Sequence, residues 1–197
     1  MIAFVRHGQT AVNRNGQLQG RFDAPLTELG VAQAQRVARA LAVESPVRVI
    51  TSPLTRARTT AEAIAAAIGV EVELDHRLVE LDYGEWDQRL LTDIPIDAWR
   101  HWRDTPSFAP PGGESLEAVT ARVIDFCRSR LDEWRDDLVV AVSHVSPIKA
   151  AVCWALDVGP SVTWRMQLGL ASITRVGCGQ DDRPQLVSFN ETAHLAV

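Results

Sequence analysis

The sequence predicts an α/β fold, a three-layer α/β/α sandwich with a mainly parallel central sheet. Short apolar runs, typical of buried strands, alternate along the chain with segments whose apolar residues recur at helical spacing. Strands that alternate with helices form a parallel sheet covered on both faces. The chain has 197 residues, 46% of them hydrophobic. That is enough for one sizeable core, so we expect a single domain over residues 1–197.

The predicted strands are short and either apolar or alternating. They lie, in order, at residues 2–5, 47–50, 70–74, 138–142, 171–176 and 186–189. The first, second and fourth runs are apolar, as expected for strands buried on both faces. No internal repeat or low-complexity tract interrupts this order.

The predicted helices lie between these strands. They cover residues 27–42, 52–68, 115–134 and about 148–156. Thr27 is a suitable N-cap for the first helix. Ser52 and Pro53 match an N-cap and an N1 proline for the second, which Gly69 ends. The third helix follows the breaker at residues 110–113.

Residues 84–113 form an irregular aromatic segment that fits neither a central strand nor a long helix. The segment contains four prolines together with Trp86, Trp99, Trp102 and Phe108. We interpret it as a small cap or lid. The alternative is an ordinary packed excursion over the sheet edge, because aromatic side chains bury well anywhere.

Composition limits the partners and the compartment. The formal charge of −5 and the pI near 5.5 give no general basic surface, so nucleic acid is not an expected partner. No stretch approaches the roughly 20 apolar residues of a membrane span. Cys127, Cys153 and Cys178 lack disulfide or zinc spacing, which favours a reducing, cytoplasmic location. The sequence is also compatible with a homo-oligomer.

Four groups of reactive side chains follow predicted strands. Arg6 and His7 follow the first strand, and Arg56 lies in the first turn of the helix after the second. Glu80 follows the third strand after a loop, and His144 follows the fourth. Ligands of open parallel sheets bind beyond the carboxyl ends of the strands, so we expect these groups to meet there.

These four groups of side chains are suited to attack on a phosphate monoester. Such a reaction needs a cationic cradle, an in-line nucleophile and an acid for the leaving oxygen. A neutral imidazole at His7 can attack phosphorus without a metal. From the residues alone, Arg58 rivals Arg56 as a phosphate ligand, and both histidines are equally compatible with roles in the core. Asp82 and Glu85 are likewise rivals of Glu80 as the acid.

The surrounding segments resemble the histidine phosphatase superfamily, in its phosphoglycerate mutase-like branch. The resemblance is carried by Phe4-Val5-Arg6-His7-Gly8-Gln9-Thr10, Pro25-Leu26-Thr27-Glu28-Leu29-Gly30, Ser52-Pro53-Leu54-Thr55-Arg56-Ala57, Arg77-Leu78-Val79-Glu80-Leu81 and Val142-Ser143-His144. It runs from Phe4 to about Leu195 and is strongest over the first third. It implies the phosphoglycerate mutase-like fold with a small cap.

The resemblance also implies roles for particular residues. It makes His7 the nucleophile, Arg6 and Arg56 phosphate ligands, Glu80 the proton donor and His144 a donor to the transferring phosphoryl group. Asn13, Gln19 and Gly20 would complete the phosphate pocket.

This chain departs from the family pattern at two places. Val145 stands where glycine usually follows the second histidine, and residues 87–89 lack the usual glycine after Gly84-Glu85-Trp86. Residues 144–149 and 190–195 are most similar to the α-ribazole phosphatase-like group. This resemblance implies a nucleoside-type phosphate as the substrate. Nucleotide-loop, zinc and serine-hydrolase motifs do not occur, so we expect no cofactor and no metal.

The sequence therefore predicts a metal-independent phosphatase that acts on a small phosphate monoester through a phosphohistidine at His7. A phosphoglycerate-type mutase with the same intermediate is the first alternative. The second is a binding module for phosphorylated ligands without catalysis, although binding alone requires neither nucleophile nor acid.

Overall fold

The computed structural model describes residues 1–179 and 181–196. Its strands are β1 (Ile2–Arg6), β2 (Arg48–Thr51), β3 (Val72–Leu74), β4 (Val139–Ser143), β5 (Ile173–Cys178) and β6 (Pro184–Glu191). Its helices are α1 (Ala11–Arg14), α2 (Glu28–Ala42), α3 (Thr55–Ile68), α4 (Ile96–Asp104), α5 (Leu116–Ser129), α6 (Leu131–Asp136) and α7 (Val145–Ala155). None of these helices has the length and apolar character needed to span a bilayer.

The strands form one sheet in the order β3-β2-β4-β1-β5-β6. The first four of these pair in parallel, whereas β5 runs antiparallel to both β1 and β6. The prediction of a mainly parallel central sheet is confirmed. Since β1 lies between β4 and β5, the residue that follows it emerges near the middle of the sheet.

The side chains of β1 alternate between two separate apolar layers. Ala3 and Val5 belong to the layer that packs against α2 and α3. Ile2 and Phe4 belong to the layer that contains α5 and α7. All four side chains are at most 1% exposed. Helices therefore cover both faces of the sheet, as the three-layer prediction requires.

The second predicted helix begins later than expected. The sequence predicts a start at Ser52, but α3 begins at Thr55 and Ser52 is not its N-cap. The Ser52 hydroxyl instead lies 2.8 Å from Nε2 of His144. The carboxylate of Asp23 accepts hydrogen bonds from the backbone N–H and the hydroxyl of Thr55, at 2.8 and 2.7 Å. Gly69 ends the helix in the left-handed conformation, as predicted.

The long helix predicted over residues 115–134 is wrong, because two helices occupy this segment. The backbone leaves helical geometry at Arg130, with φ −122° and ψ 17°. The break lets Trp134 enter the core, where it is fully buried and its indole N–H donates to the Cys127 carbonyl at 2.9 Å. Burial of a large aromatic side chain thus outweighs helical continuity.

Aromatic edge-to-face contacts organise residues 84–113. Trp102 lies at their centre, with ring centroids 5.2 Å from Trp99, 5.6 Å from Trp86 and 4.6 Å from Trp164. Such pairs add about 0.5–1.5 kcal/mol each beyond the area that they bury. Trp86 and Trp102 belong to the same apolar layer as α5 and α7, so the segment is packed onto that side of the molecule.

Candidate active site

Two histidines meet at the carboxyl end of the sheet. The parallel pairing of β1 with β4 puts Arg6 opposite Ser143, so the next residue of each strand is a histidine. The backbone N–H of His7 donates to the Ser143 carbonyl at 3.1 Å. The rings of His7 and His144 have centroids 5.0 Å apart and planes inclined by 58°. Strand register therefore brings these two predicted site residues together.

The hydrogen bonds of His7 determine its tautomer. Its Nδ1 lies 2.7 Å from the Gly8 carbonyl oxygen. Since a carbonyl only accepts, Nδ1 carries the proton and Nε2 keeps its lone pair. Burial lowers the pKa of His7 well below its ordinary value, and the charges of Arg56 and Arg6 lower it further. His7 is therefore a neutral imidazole at neutral pH, and the lone pair on its Nε2 accepts a hydrogen bond from Nε of Arg56 at 3.3 Å.

The loop after His7 is held against the start of α2 by a close backbone approach. A Cβ on Gly8 would lie 2.3 Å from the Gly30 carbonyl oxygen, and one on Gly30 would lie 2.2 Å from the Gln9 carbonyl oxygen. Neither position tolerates a side chain. The N–H of Gly8 also donates to the hydroxyl of Thr60 on α3, at 3.2 Å.

Arg56 is fully buried and faces His7. Its Nε lies 3.3 Å from Nε2 of His7, and its Nη1 and Nη2 donate to the carbonyls of Phe22 and Gly20 at 3.0 and 2.8 Å. Burial lowers the pKa of Arg56. The rival Arg58 is exposed and lies 3.5 Å from Glu62. Of the two arginines, only Arg56 lies against the histidines.

Arg6 is the second cation of the site. Its Nη1 donates to the Leu168 carbonyl at 2.6 Å, while its buried Nε has no partner among the described residues. Burial lowers the pKa of Arg6 to about 10, and the charge of Glu80 opposes this effect. Arg6 thus stays charged at neutral pH and retains a donor for a ligand.

His144 is fully buried, and Ser52 positions its ring. Its Nε2 lies 2.8 Å from the Ser52 hydroxyl, and its Nδ1 is buried without a partner in the described part of the chain. Burial lowers the pKa of His144, and so does the charge of Arg56. Sequence reasoning missed Ser52 as a site residue because a serine before a proline is an ordinary helix start.

Glu80 is buried at the N-terminus of α7. Its Oε1 accepts from the backbone N–H groups of Leu81 and Ser146 at 2.8 and 3.1 Å, and its Oε2 accepts from Val145 at 3.0 Å. Glu80 is also the acidic group whose charge most raises the pKa of both site arginines. Val145, the departure from the family pattern, therefore supplies an N–H that orients this carboxylate.

The two other candidates for the acid, Asp82 and Glu85, do not share the position of Glu80. Asp82 accepts from the Gly84 N–H at 2.9 Å and lies 3.9 Å from Nε of Arg21, with its side chain 37% exposed. Glu85 is exposed. Glu80 is the only one of the three that is both buried and directed to the loop after β4.

Asn13, Gln19 and Gly20 are connected to the site through other residues. Oδ1 of Asn13 accepts from the Thr10 N–H at 3.1 Å, and Oε1 of Gln19 accepts from the Thr10 hydroxyl at 2.6 Å. The Gly20 carbonyl accepts from Arg56, as described above. Of these three residues, only Gly20 contacts Arg56 directly. The side chains of Asn13 and Gln19 form hydrogen bonds with Thr10 and Phe22 rather than with His7.

Asp87 is a further residue that sequence reasoning missed. Its carboxylate accepts from the backbone N–H groups of Gly20 and Phe22, both at 2.8 Å. It therefore joins the aromatic segment to the loop whose carbonyls hold Arg56. Asp87 lies in the segment where the chain departs from the family pattern. In the described residues, no cluster of three or more His, Cys, Asp or Glu side chains could hold a metal ion.

Comparisons with known proteins agree with this arrangement. A family model described as the histidine phosphatase superfamily (branch 1) matches residues 2–192. Phosphoserine phosphatase 1 of Hydrogenobacter thermophilus is 33% identical over 199 residues, which cover 98% of this chain and 93% of that protein. A bifunctional protein of Mycobacterium tuberculosis is 33% identical over 198 residues, which cover 98% of this chain. The chain spans only 54% of the length of that relative.

A solved structure of a relative has the same fold. A mycobacterial glucosyl-3-phosphoglycerate phosphatase in complex with VO3 superposes with a TM-score of 0.87 and 31% identity. The superposition covers 97% of this chain and 99% of the other.

Proposed function

Because the chain belongs to the histidine phosphatase superfamily, we propose that it hydrolyses small phosphate monoesters through a phosphohistidine formed on His7. The observation that carries the proposal is the state of His7. The Gly8 carbonyl holds its Nδ1 proton, and its Nε2 lies 3.3 Å from the buried guanidinium of Arg56. A nucleophilic lone pair beside a fixed cation suits an anionic phosphoryl group.

In the first step, Nε2 of His7 attacks phosphorus and the bond to the ester oxygen breaks. Arg6, Arg56 and His144 bind the equatorial oxygens, where negative charge must be stabilised in the transition state. Glu80, in its protonated form, gives its proton to the departing alkoxide. The products of this step are the free alcohol, a phosphohistidine and the Glu80 carboxylate.

In the second step, water attacks the phosphohistidine. Glu80, now a carboxylate, accepts a proton from that water as the new P–O bond forms. The P–N bond breaks and its electron pair returns to Nε2 of His7. Inorganic phosphate leaves, and both His7 and Glu80 regain their initial protonation. All of these steps use side chains of this chain, and no step needs a metal.

We also propose that residues 84–113 act as a cap over the leaving group, within a single domain. Their aromatic cluster supports this proposal, because Tyr83, three residues after Glu80 in the chain, packs with a ring centroid 5.7 Å from that of Trp102. A nucleoside-type phosphate of the α-ribazole kind is one candidate for the substrate. The free thiols of Cys127, Cys153 and Cys178 support a cytoplasmic location.

A metal-free screen of phosphomonoesters tests the proposed function. Protein treated with EDTA should release phosphate from p-nitrophenyl phosphate and from members of a panel of sugar, nucleoside and hydroxy-acid phosphates. The His7→Ala variant should lose turnover and keep its fold by circular dichroism, with Arg58→Gln as an active control. Activity that needs added magnesium or zinc would contradict the mechanism, and 2-phosphoglycerate formed from 3-phosphoglycerate would favour the mutase.

A further inference from the structure

The chain segment that ends in Glu80 is held through its backbone carbonyls. Arg122, on α5, donates from Nη1 to the Arg77 carbonyl at 2.6 Å and from Nη2 to the Glu80 carbonyl at 3.3 Å. Between these two contacts, the hydroxyl of Ser143 donates to the Leu78 carbonyl at 2.7 Å. One guanidinium thus bridges the two ends of the segment from which the Glu80 side chain projects.

Glu114 fixes the direction of that guanidinium. Its Oε1 and Oε2 accept from Nε and Nη2 of Arg122 at 2.8 and 3.0 Å, and the two side chains are only 18% and 16% exposed. Ser115 is the N-cap of α5, so Glu114 lies directly before the helix. Long side chains on a helix lean toward its N-terminus, which lets Arg122 reach back to Glu114. Bidentate pairing sets the plane of the guanidinium as well as its position.

Glu114 also holds the chain that follows Glu80. Its backbone N–H donates to the Asp82 carbonyl at 2.8 Å, and a Cβ on Gly113 would lie 2.4 Å from the same oxygen. The close approach at Gly113 leaves no room for a side chain. Arg122 and Glu114 therefore hold the backbone on both sides of the proposed proton donor.

The Glu80 carboxylate depends on this backbone for its position. In the described part of the chain, its hydrogen bonds come from the backbone N–H groups of Leu81, Val145 and Ser146, and none comes from a side chain. A shift of residues 77–80 would therefore move the carboxylate relative to α7 and to His7. A proton donor must lie within hydrogen-bond reach of the leaving oxygen, so such a shift would slow proton transfer.

We propose that Arg122, oriented by Glu114, is a positioning residue for the proton donor. It acts on the reaction only through Glu80, whose carboxyl group it keeps within reach of the leaving oxygen. Neither Arg122 nor Glu114 forms or breaks a bond. This inference rests on the proposed phosphatase function.

The test compares phenyl phosphate with p-nitrophenyl phosphate. Their leaving groups differ by one substituent, but phenolate needs a proton in the transition state far more than p-nitrophenolate does. In single-turnover experiments, Arg122→Met should slow phosphoryl transfer from phenyl phosphate by about 10- to 100-fold with little change in its dissociation constant. Transfer from p-nitrophenyl phosphate should slow much less. In the Glu80→Gln background, Arg122→Met should add little further loss, because the group that it positions is already gone.

Two milder variants keep the test independent of how well Arg122→Met folds. Arg122→Lys retains the charge but cannot bridge two carbonyls and a carboxylate, so it should recover only part of the rate with phenyl phosphate. It also separates position from charge, because the charge of Arg122 contributes to the low pKa of His144, for which burial is the main cause. Glu114→Gln retains one acceptor and should give a selective loss of the same kind, smaller than that of Arg122→Met.

Arg128→Met is the matched control, because it removes an exposed cation from the same helix with the same change of charge. It should leave both rates unchanged. Equal losses for the two substrates in the folded Arg122 and Glu114 variants would overturn the inference alone, and so would a full further loss in the Glu80→Gln background. Failure of the unmodified protein to hydrolyse either substrate would overturn the proposed function, and the inference with it.

Discussion

The proton on Nδ1 of His7 decides which nitrogen can act as a nucleophile. A backbone carbonyl at 2.7 Å fixes that proton, so the tautomer depends on the chain path at Gly8 rather than on a side chain that could rotate. The adjacent cations then have two effects. They lower the pKa of His7 and keep it neutral, and they offer donors to the phosphate that it attacks.

The two buried histidines should make the protein sensitive to acid. Burial lowers the pKa of both His7 and His144, so the folded state keeps them neutral while the unfolded chain takes up protons below about pH 6.5. The free energy of unfolding should be constant near neutral pH and decrease below pH 6.5. The decrease should reach up to about 1.4 kcal/mol per pH unit for each histidine. Urea unfolding between pH 7.5 and 5.0 measures this dependence.

His144→Gln supplies the comparison. Its free energy of unfolding should depend less steeply on pH than that of the unmodified protein. The difference in slope should equal the contribution of one histidine. Identical slopes in the two proteins would show that His144 takes up its proton in the folded state.

The role of Glu80 can be separated from a general effect on binding by the choice of leaving group. An alkyl alkoxide needs a proton in the transition state, whereas p-nitrophenolate needs little help. Glu80→Gln should therefore slow phosphoryl transfer from alkyl phosphates by roughly 10²- to 10⁴-fold and from p-nitrophenyl phosphate much less, in single-turnover experiments. Asp82→Asn and Glu85→Gln are the controls. A selective alkyl defect in either of them, with Glu80→Gln unaffected, would reassign the proton donor.

At the scale of elements, the site depends on how α3 begins. Arg56 is the second residue of α3, and the first residue is held by the Asp23 carboxylate through two hydrogen bonds. Asp23 thus caps the start of α3 from a distant loop, in place of Ser52, the N-cap that the sequence predicts. This exchange leaves the Ser52 hydroxyl to orient His144.

Removal of this cap should affect both stability and catalysis. Asp23→Ala should lower the free energy of unfolding by about 1 kcal/mol, as for other lost helix caps. It should also reduce kcat/KM severalfold, because Arg56 is less firmly held. Asp23→Asn keeps an acceptor for the Thr55 N–H and should behave more like the unmodified protein. Equal effects of the two substitutions on stability would mean that the charge matters and the hydrogen bond does not.

The elements that sequence reasoning placed correctly are those governed by local signals. Apolar periodicity located all six strands, and Thr27 and Gly69 marked helix ends through their own backbone preferences. The errors at Ser52 and near Arg130 come from tertiary contacts, to His144 in one case and through the burial of Trp134 in the other. No local pattern records such contacts.

The same distinction between local signals and tertiary contacts applies to the residues of the site. Arg6, His7 and His144 were expected together because each follows a strand of a parallel sheet. The choice of Arg56 over Arg58 needed a family resemblance, since neighbouring arginines on one helix are not distinguished by composition. Asp87 and Ser52 act through distant contacts. They became recognisable only in the folded molecule.

At the scale of the whole molecule, an acidic protein holds a cationic site. The formal charge is −5, yet Arg6 and Arg56 converge on two neutral histidines at the sheet's carboxyl end. Burial lowers the pKa of both arginines, which shows that placing them there is costly in the absence of an anion. An oxyanion that fills the site should therefore stabilise the whole fold.

Vanadate or phosphate, at about 100 times its dissociation constant for the unmodified protein, should raise the free energy of unfolding of that protein by about 2.7 kcal/mol. The variants are measured at the same anion concentration. Thermal unfolding with and without the anion measures the effect. Arg6→Gln should show a smaller shift, and Arg58→Gln, which changes an exposed arginine, should show the full shift. A full shift in Arg6→Gln would place the anion elsewhere.

The covalent intermediate tests the central claim most directly. Protein mixed rapidly with a labelled phosphomonoester and quenched without acid should carry about one phosphoryl group per chain, and peptide mapping should locate it on Nε2 of His7. The label should be absent in His7→Ala and should persist longer in Glu80→Gln, where attack by water is slowed. Label found on Ser143, Ser146 or Cys153, or turnover without any labelled protein, would contradict the account.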